Sequence, residues 1–424
     1  CYPLAGIATA LSFGDDMEKR KTQDIVYRAD LYPRLKPNPA KIQEYSENID
    51  RLPPIEISQT GILIDGYHRW KAYETAKIEE IPVIVTEVKS EAEIERLSVL
   101  RNATHGQQLT QDDKKVFAVR WWDNIPAEEI CQTLSISRKT YDRWTSAKQE
   151  QKEEQTKQRI YDMWMRCHTQ QEIADAVGVE QSTATRRIAD FMQNGQVSDL
   201  HNFRNFEPQV YTTWNFAKAT NEVRHFGNIP PEIIDNLLWF YTKPFDVVFD
   251  PFGGGGSTVD KCLERQRRYY VSDLNPIPAR NDIRQHDITT GLPDDLPMPD
   301  LVFLDPPYWK QAEGKYSQDA TDLANMELEA FIAAIADIAK AVKRKWNGSR
   351  PGAKLALIIG PYQKDWKTVD LPFMCYQAIS KYLSPVIRIQ VPYSTQVHGG
   401  QYVQNAKDAR NMLYLSRDLM VFGA

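Results

Sequence analysis

Cysteine is scarce in this chain, and its distribution argues against two kinds of structural site. The five cysteines among 424 residues, Cys1, Cys131, Cys167, Cys262 and Cys375, include no Cys-x-x-Cys pair. Zinc sites and disulfide frameworks of small domains need cysteines at closer and more regular spacing. The sequence therefore predicts no metal site, no disulfide framework and a reducing compartment.

Long apolar runs and an excess of basic charge are also missing. No apolar run reaches the roughly 20 residues that cross a bilayer, so we expect no membrane span. The first residues lack the basic-then-apolar pattern of a signal peptide, although Cys1 in place of Met leaves the true start open. The net charge is -5, from 52 Lys and Arg against 57 Asp and Glu. A chain that is basic throughout is excluded, but local basic strips that contact phosphates are not.

The length and the changing pattern of the chain predict a multidomain protein. Short apolar runs separated by Gly and Pro predict an α+β domain at residues 20–100. Residues 101–200 are rich in helical pattern and predict an all-α region of two units, 109–148 and 156–194. A stretch dense in Gln, Lys and Glu separates the two units, and we interpret it as a solvated helix or a linker.

The remaining region, residues 201–424, alternates between strand-like and helix-like segments. An amphipathic helix is predicted at residues 328–346, and buried parallel strands are predicted at 247–249, 269–271, 301–304 and 354–359. This alternation is typical of a doubly wound, Rossmann-like α/β sheet, which binds ligands at the carboxyl ends of its strands.

A glycine-rich motif, Asp250-Pro251-Phe252-Gly253-Gly254-Gly255-Gly256-Ser257-Thr258, joins one predicted strand to a helix. Glycines permit a tight turn and let a ligand approach the backbone closely. The motif lacks the lysine of a phosphate-binding loop, which weakens a nucleoside-triphosphate interpretation. By itself it could be a flexible loop, but acidic residues and a rigid turn follow it at successive predicted strand ends, namely Asp273, Asp287 and Asp305-Pro306-Pro307-Tyr308.

In this order the motifs resemble the DNA amino-methyltransferases of the Asp-Pro-Pro-Tyr type, which use S-adenosylmethionine. The resemblance implies that Asp273 holds the ribose of the cofactor and that Asp287 lies near its adenine. An upstream motif that contains Phe216 and Asn228 also resembles a cofactor-binding segment of these enzymes. The resemblance therefore implies a cofactor set of Asp250, Pro251, Phe252, Gly253, Gly255, Ser257, Thr258, Asp273, Asp287, Phe216 and Asn228.

The same resemblance implies a catalytic set of Asp305, Pro306, Pro307 and Tyr308. An exocyclic amino nitrogen is a poor nucleophile because its lone pair is delocalised into the ring. The Asp305 carboxylate and the Pro306 carbonyl can accept hydrogen bonds from the amino group and aim its lone pair at the methyl group. The prolines fix the turn, and Tyr308, helped by Trp309, would stack on a flipped-out base.

The cysteines and the first residue of the catalytic motif indicate which base is methylated. Methylation of cytosine at carbon 5 needs a cysteine nucleophile presented after a proline, and none of the five cysteines follows a proline. An Asp at the first motif position is more usual for adenine, and a Ser for cytosine. The sequence predicts a sequence-specific DNA (adenine-N6) methyltransferase, with methylation of cytosine at N4 as the alternative.

Two segments have the pattern of a helix-turn-helix. Residues 169–179 predict a first helix and a turn at Gly178, and residues 181–188 predict a recognition helix. A weaker copy spans residues 127–144, and a plain pair of packed helices is the alternative for each. The expected partner is double-stranded DNA, contacted by Arg138, Lys139, Arg143, Gln181, Ser182, Thr183, Arg186 and Arg187.

The segment Ile64-Asp65-Gly66-Tyr67-His68-Arg69-Trp70 resembles the N-terminal domain of ParB-like partition proteins. Asn38-Pro39 and residues 102–106 extend the likeness. It implies that His68 and Arg69 contact nucleotide phosphates. A structural or DNA-clamping role is the favoured alternative, because the second basic motif, around Lys36-Pro37-Asn38, is not convincing.

The sequence leaves two classes of function open. One is a methyltransferase with a ParB-like and helix-turn-helix front end, and the other is a ParB-like DNA-binding or regulatory protein that only senses the cofactor. The intact Asp305-Pro306-Pro307-Tyr308 favours the enzyme. Methylation of RNA or protein leaves the helix-turn-helix segments unexplained. We expect a cytoplasmic protein of bacterial or phage type, and a homodimer remains an open alternative to a monomer.

Overall fold

The protein is described by a computed structural model at residues 18–33, 38–104, 109–194, 202–216, 229–310, 322–393 and 399–424. The chain divides into two compact units, Cys1–Glu154 and Gln155–Ala424. Every cluster of buried apolar side chains lies wholly within one of these units. Within the described residues, no helix combines the length and the apolar character needed to cross a membrane.

The first unit begins with a four-stranded sheet in the order β1-β4-β2-β3. The strands are β1 (Lys19–Lys21), β2 (Ile55–Ser58), β3 (Leu63–Asp65) and β4 (Glu80–Thr86). Strand β2 is parallel to β4, and the other two pairs are antiparallel. Two helices, α1 (Pro39–Ser46) and α2 (Tyr67–Thr75), accompany the sheet. The predicted α+β domain is therefore present, with strands where the apolar runs indicated them.

Helices follow the sheet. They are α3 (Glu91–Thr104), α4 (Gln111–Trp121), α5 (Ala127–Leu134) and α6 (Arg138–Met165). The apolar side chains of this part enclose a second core that includes Phe117, Trp121, Ile130, Leu134 and Tyr141. Helix α5 ends at Ser135, whose left-handed backbone (φ 51°) turns the chain into α6.

Helix α6 runs without interruption through the stretch that the sequence left as a helix or a linker. Gln, Lys and Glu are good helix formers, so a solvated run of them can continue a helix without packing. Residues 146–155 are all exposed. The boundary between the two compact units falls inside this exposed part of α6.

The second unit includes a helix pair, α7 (Gln170–Val177) and α8 (Gln181–Asn194). Thr169 and Glu172 form a capping box at the start of α7, and Gly178 ends it in the left-handed conformation (φ 74°). The apolar side of the pair joins a core that also contains residues of the large sheet. Arg268 Nε donates to the Trp164 carbonyl at 3.0 Å and Arg284 Nη2 to the Arg166 carbonyl at 2.9 Å, which caps the carbonyl end of α6.

The large sheet of the second unit has seven strands in the order β12-β13-β9-β8-β5-β6-β7. They are β5 (Val247–Asp250), β6 (Arg268–Asp273), β7 (Arg284–Gln285), β8 (Leu301–Leu304), β9 (Lys354–Ile359), β12 (Ser384–Pro392) and β13 (Ser416–Gly423). A separate hairpin consists of β10 (Tyr362–Lys364) and β11 (Lys367–Val369).

The strand directions make this sheet mixed rather than all parallel. Strands β7, β6, β5, β8 and β9 are parallel to one another, whereas β13 is antiparallel to both β9 and β12. The parallel strands agree with the sequence prediction. The reversed β13 is a feature that the hydrophobic pattern did not reveal, because pattern gives burial and not direction.

Side chains alternate between two cores on the two faces of this sheet. Val248 belongs to one core and Phe249 to the other, and Leu301 and Val302 divide in the same way. Helices α9 (Pro231–Tyr241) and α10 (Ser257–Glu264) contribute to the first core, and α11 (Leu328–Trp346) and α12 (Leu371–Ile379) to the second. A last helix, α13 (Gly400–Asp408), precedes β13. Helices therefore cover both faces, as a doubly wound α/β domain requires.

Candidate active site

Three neighbouring strand ends form one edge of the large sheet. Strand β5 lies between β8 and β6 and is parallel to both, so all three carboxyl ends point the same way. The glycine loop follows β5, Asp273 ends β6 and Asp305 follows β8. The chain leaves β5 toward β6 on one side and returns as β8 on the other, which opens a crevice between β5 and β8.

The Asp250 carboxylate ties the glycine loop to the helix that follows it. Its Oδ1 accepts a hydrogen bond from the Phe252 N–H at 2.8 Å, and its Oδ2 accepts one from the Thr258 hydroxyl at 2.5 Å. Burial raises the pKa of Asp250 to about 7, and these two hydrogen bonds oppose the rise. Asp250 and Thr258 therefore hold the loop rigidly at the end of β5.

Two glycines of the loop stand where no side chain fits. The Gly253 N–H donates to the Ser272 carbonyl at 2.8 Å, and a Cβ on Gly253 would lie 2.7 Å from Val271 Cγ1. Gly256 has a positive φ of 88°, and a Cβ there would overlap the guanidinium of Arg280. The loop thus packs tightly against β6 and begins α10 at Ser257, where backbone N–H groups point out of the helix start.

Asp273 is the last residue of β6, and Asp287 follows β7. The Asp273 carboxylate accepts from the Gly254 N–H and the Asn275 N–H, both at 2.9 Å, and stays partly exposed. Each carboxylate oxygen can accept a second hydrogen bond, so Asp273 suits a ribose hydroxyl. The Asp287 Oδ1 accepts from the Thr289 N–H at 2.9 Å and its hydroxyl at 2.7 Å, one strand farther from Asp305. The role predicted for Asp287 stays a prediction.

Asp305 begins the Asp-Pro-Pro-Tyr turn directly after β8. Burial raises the pKa of Asp305 to about 7, Arg417 counteracts the rise and the nearby Asp250 adds to it. The Tyr308 hydroxyl is buried and has no hydrogen-bond partner among the described residues. Trp309 turns away, since its indole N–H donates to the Met326 carbonyl at 2.8 Å and its ring lies 5.1 Å from that of Tyr362. The turn therefore offers one carboxylate and, beside it, one aromatic ring whose hydroxyl is buried.

Three residues outside the predicted catalytic set lie beside this turn. Arg417 is only 6% exposed, and its guanidinium carbon lies 4.9 Å from the centre of the Tyr393 ring. A Cβ on Gly360 would lie 2.9 Å from the Tyr393 hydroxyl and 3.8 Å from Tyr308 Cε2. They come from β13, the end of β12 and the end of β9, and only the reversed direction of β13 brings Arg417 to this edge. The one available signal was an arginine at the start of an apolar run.

Part of the predicted cofactor set lies upstream of the sheet. Phe216 is half-buried, with its ring 6.3 Å from that of Trp214. The Trp214 N–H donates to the Gln390 carbonyl at 2.9 Å, which ties this segment to β12. Asn228 lies outside the described residues.

The predicted DNA-contacting residues lie on two helices that belong to different units. On α8, Gln181, Ser182 and Arg186 are exposed, while Thr183 and Arg187 are half-buried. On the first part of α6 the exposed side chains are Arg138, Lys139 and Arg143, and Arg138 Nε donates to Asp142 at 2.9 Å. The helices form where the two helix-turn-helix patterns predicted them, and their DNA contacts stay predictions.

His68 and Arg69 each have a partner inside the first domain. His68 Nε2 accepts from the Asn38 N–H at 2.9 Å. Arg69 donates to the Pro54 carbonyl at 2.8 Å and forms an ion pair with Asp65 at 2.6 Å. These contacts suit the structural alternative, and nucleotide binding stays a prediction. Lys36 and Pro37 lie outside the described residues.

Two family models match the chain in adjacent segments. A model described as the ParB N-terminal domain matches residues 22–102, and one described as DNA methylase matches residues 103–277. The second segment contains the glycine loop and Asp273 and ends before Asp305. The assignment of Asp305 and Tyr308 therefore depends on the geometry of the turn and on its resemblance to the family motif.

Individual relatives match shorter parts of the chain. The Type II methyltransferase M.Cfr9I of Citrobacter freundii is 37% identical over 65 residues, 15% of this chain and 22% of that protein. M.XycI of Xanthomonas campestris pv. cyanopsidis is 35% identical over 65 residues, with the same coverage of 15% and 22%. The chain thus spans about a fifth of the length of these curated relatives.

Among solved structures, ParB from Caulobacter crescentus in complex with the centromeric parS site is 18% identical, with a TM-score of 0.25. The match covers 30% of this chain and 69% of that ParB chain. The glycine loop, its rigid anchoring and the acceptor at Asp273 fit S-adenosylmethionine, the methyl donor of DNA methylases. The chain therefore contains, one after the other, a segment that matches the ParB N-terminal domain and a segment that matches a DNA methylase.

Proposed function

We propose that the protein is a DNA methyltransferase that transfers a methyl group from S-adenosylmethionine to N6 of adenine in duplex DNA. The observation that carries the proposal is the position of Asp305-Pro306-Pro307-Tyr308 directly after β8, beside the glycine loop that follows β5. Neighbouring strands lie about 5 Å apart, so an amino group held by Asp305 is within reach of a donor held by the loop.

The residues of the turn would prepare the amino group of the base. The ionised Asp305 carboxylate and the Pro306 carbonyl each accept one hydrogen bond from the amino group, which localises the nitrogen lone pair. When bound, S-adenosylmethionine supplies an electrophilic methyl group on its sulfonium. The lone pair forms the new carbon–nitrogen bond as the carbon–sulfur bond breaks, and the nitrogen then releases one proton, with Asp305 or water as acceptor.

The remaining residues of the turn would hold the base. The two prolines limit the backbone to one conformation, so both acceptors keep the same direction. The Tyr308 ring would stack on a base that has left the duplex. Asp305, at the first position of the Asp-Pro-Pro-Tyr turn, favours adenine over cytosine. Methylation of cytosine at N4 is the alternative, because its amino group has the same geometry.

Recognition of the DNA sequence would come from the two predicted helix-turn-helix segments. Gln181, Ser182 and Arg186 project from α8 into solvent, as base-reading and phosphate-contacting side chains must. The core shared by α7, α8 and the large sheet would keep this surface fixed relative to the crevice. Arg138, Lys139 and Arg143 would add phosphate contacts from α6.

The test is nucleoside mass spectrometry on unmethylated duplex DNA incubated with the protein and S-adenosylmethionine. Asp305→Ala removes the carboxylate, and we expect the rate to fall at least ~100-fold. Asp337→Ala is the matched control, because Asp337 is an exposed aspartate on α11.

The products separate the alternatives. N6-methyladenine that is lost in Asp305→Ala and retained in Asp337→Ala would support the proposal. N4-methylcytosine would retain the mechanism and overturn the choice of base. No methylated base, despite binding of S-adenosylmethionine, would contradict the enzymatic function and favour a regulatory DNA-binding protein.

A further inference from the structure

Arg417 occupies an unusual position for a charged side chain. It is the second residue of β13, opposite Val391 of β12, and the next residue, Asp418, pairs with the last residue of β9, Ile359. Arg417 therefore lies level with Gly360, at the same sheet edge as Asp305. Its Cγ would be 3.5 Å from a Cβ on Gly360, a space that it shares with Tyr308 and Tyr393.

A buried guanidinium needs a negative or polar partner, because desolvation of a charge is costly. The Nε of Arg417 is buried and has no hydrogen-bond partner among the described residues. The carboxyl group that interacts with this charge is Asp305, and the phenol groups that do so are Tyr308 and Tyr393. Arg417 thus has its electrostatic partners in the Asp-Pro-Pro-Tyr turn and its surroundings.

The groups that face Asp305 explain why a cation is needed there. Asp250 at the end of β5 is a second buried carboxyl group, and it disfavours a negative charge on Asp305. Tyr308 lies on the same turn as Asp305, and Tyr393 lies at the end of β12. Arg417 and the Tyr308 hydroxyl both favour the ionised form of Asp305, and among the described residues that act on Asp305, Arg417 is the one that supplies a positive charge.

We propose that Arg417 is a positioning residue that keeps the Asp305 carboxylate ionised, so that it accepts a hydrogen bond from the target amino group instead of donating one. A protonated Asp305 would present a hydroxyl group, and the amino lone pair would lose the acceptor that localises it. This inference rests on the proposed methyltransferase function.

The expected pH dependence follows from the direction of the shifts. Burial raises the pKa of Asp305 to about 7 while Arg417 lowers it, so removal of the cation raises it further. Because the ionised form is active, methylation is lost as the pH falls through this pKa. A neutral side chain at position 417 should therefore move the acidic limb of the pH profile to higher pH.

The experiment measures kcat/KM for DNA methylation between about pH 5.5 and 9 in the unchanged protein, Arg417→Gln and Arg417→Lys. For Arg417→Gln we expect the acidic limb to rise by ~1 pH unit, so that activity at pH 6.5 falls ~10-fold more than at pH 9. Arg417→Lys keeps the charge, and its limb should stay within ~0.3 units. A loss of activity in Arg417→Gln that is equal at every pH would overturn the inference.

Two further outcomes are separable. Absence of methylation by the unchanged protein would overturn the proposed function, and the inference with it. If Arg417→Gln does not fold, the double variant Asp305→Asn/Arg417→Gln decides, because neutralising both groups removes the unpaired buried charge. Recovery of a thermal unfolding transition in the double variant supports the inference, and continued misfolding shows a purely structural role and overturns it.

Discussion

The glycine loop packs so closely against β6 that a residue with a side chain does not fit at Gly253. At Gly253 a Cβ would lie 2.7 Å from Val271 Cγ1 and 3.0 Å from Ile283 Cγ2. Such overpacking costs about 1–3 kcal/mol, which the loop can relieve only by moving away from β6. Movement would break the hydrogen bond from the Gly253 N–H to the Ser272 carbonyl and displace the loop that we propose holds the cofactor.

We therefore expect Gly253→Ala to weaken binding of S-adenosylmethionine by ~10-fold or more, measured by isothermal titration calorimetry. Gly352→Ala is the control, because a Cβ at Gly352 meets nothing within 4 Å and its backbone is not left-handed. Equal affinities of the two variants would show that the loop does not hold the cofactor.

At the residue scale the carboxyl groups of Asp250 and Asp305 have different partners. Asp250 receives two hydrogen bonds from its own loop, so its role is to hold backbone in place. Asp305 has charged and aromatic neighbours and stays partly exposed, as a group that must meet a substrate should. Asp250 at the end of β5 thus stabilises the loop, whereas Asp305 after β8 takes part in methyl transfer in our proposal.

At the scale of elements, α8 is the best-placed candidate for contact with DNA. Its buried side includes Ala184 and Ile188, which pack in the core, while Gln181, Ser182 and Arg186 face solvent. A phosphate contact from one arginine contributes counterion release and leaves sequence preference unchanged.

We expect Arg186→Ala to weaken binding to duplex DNA and to lower the slope of log affinity against log salt by ~1, measured by fluorescence anisotropy. Arg344→Ala is the matched control, because Arg344 is exposed on α11, on the opposite face of the sheet. An unchanged salt slope in Arg186→Ala would remove α8 from the DNA-binding surface.

The chain of the whole molecule divides into two units, and the boundary between them falls within the exposed part of α6. The cores of the first unit end at Trp144, and those of the second begin at Ile160. Among the described residues no buried cluster contains side chains from both sides of the boundary between Glu154 and Gln155, so each unit has a buried apolar core of its own with which to fold.

We expect a fragment of residues 155–424 to fold and to bind S-adenosylmethionine with a Kd within ~3-fold of the full chain, measured by calorimetry. The same fragment should bind duplex DNA more weakly, because it lacks Arg138, Lys139 and Arg143. Aggregation of the fragment, or loss of cofactor binding, would show that the second unit needs the first.

The sequence by itself determined the elements and the order of the motifs. Strands β8 and β9 and helix α11 have the predicted bounds, because their apolar patterns are strong and local. Asp250, Asp273 and Asp305 lie at adjacent strand ends because parallel strands with crossover helices place their carboxyl ends together. Motif order therefore sufficed to predict that these three residues lie at adjacent strand ends, and their roles stay predictions.

Only the tertiary structure decided which distant residues complete the site. Hydrophobic pattern does not report strand direction, so the reversal of β13 and the arrival of Arg417 beside Asp305 could not be predicted. Gly360 and Tyr393 likewise acquire meaning from neighbours that are far apart in the chain. Burial and electrostatic interaction between such residues are properties of packing, and a local sequence pattern cannot encode them.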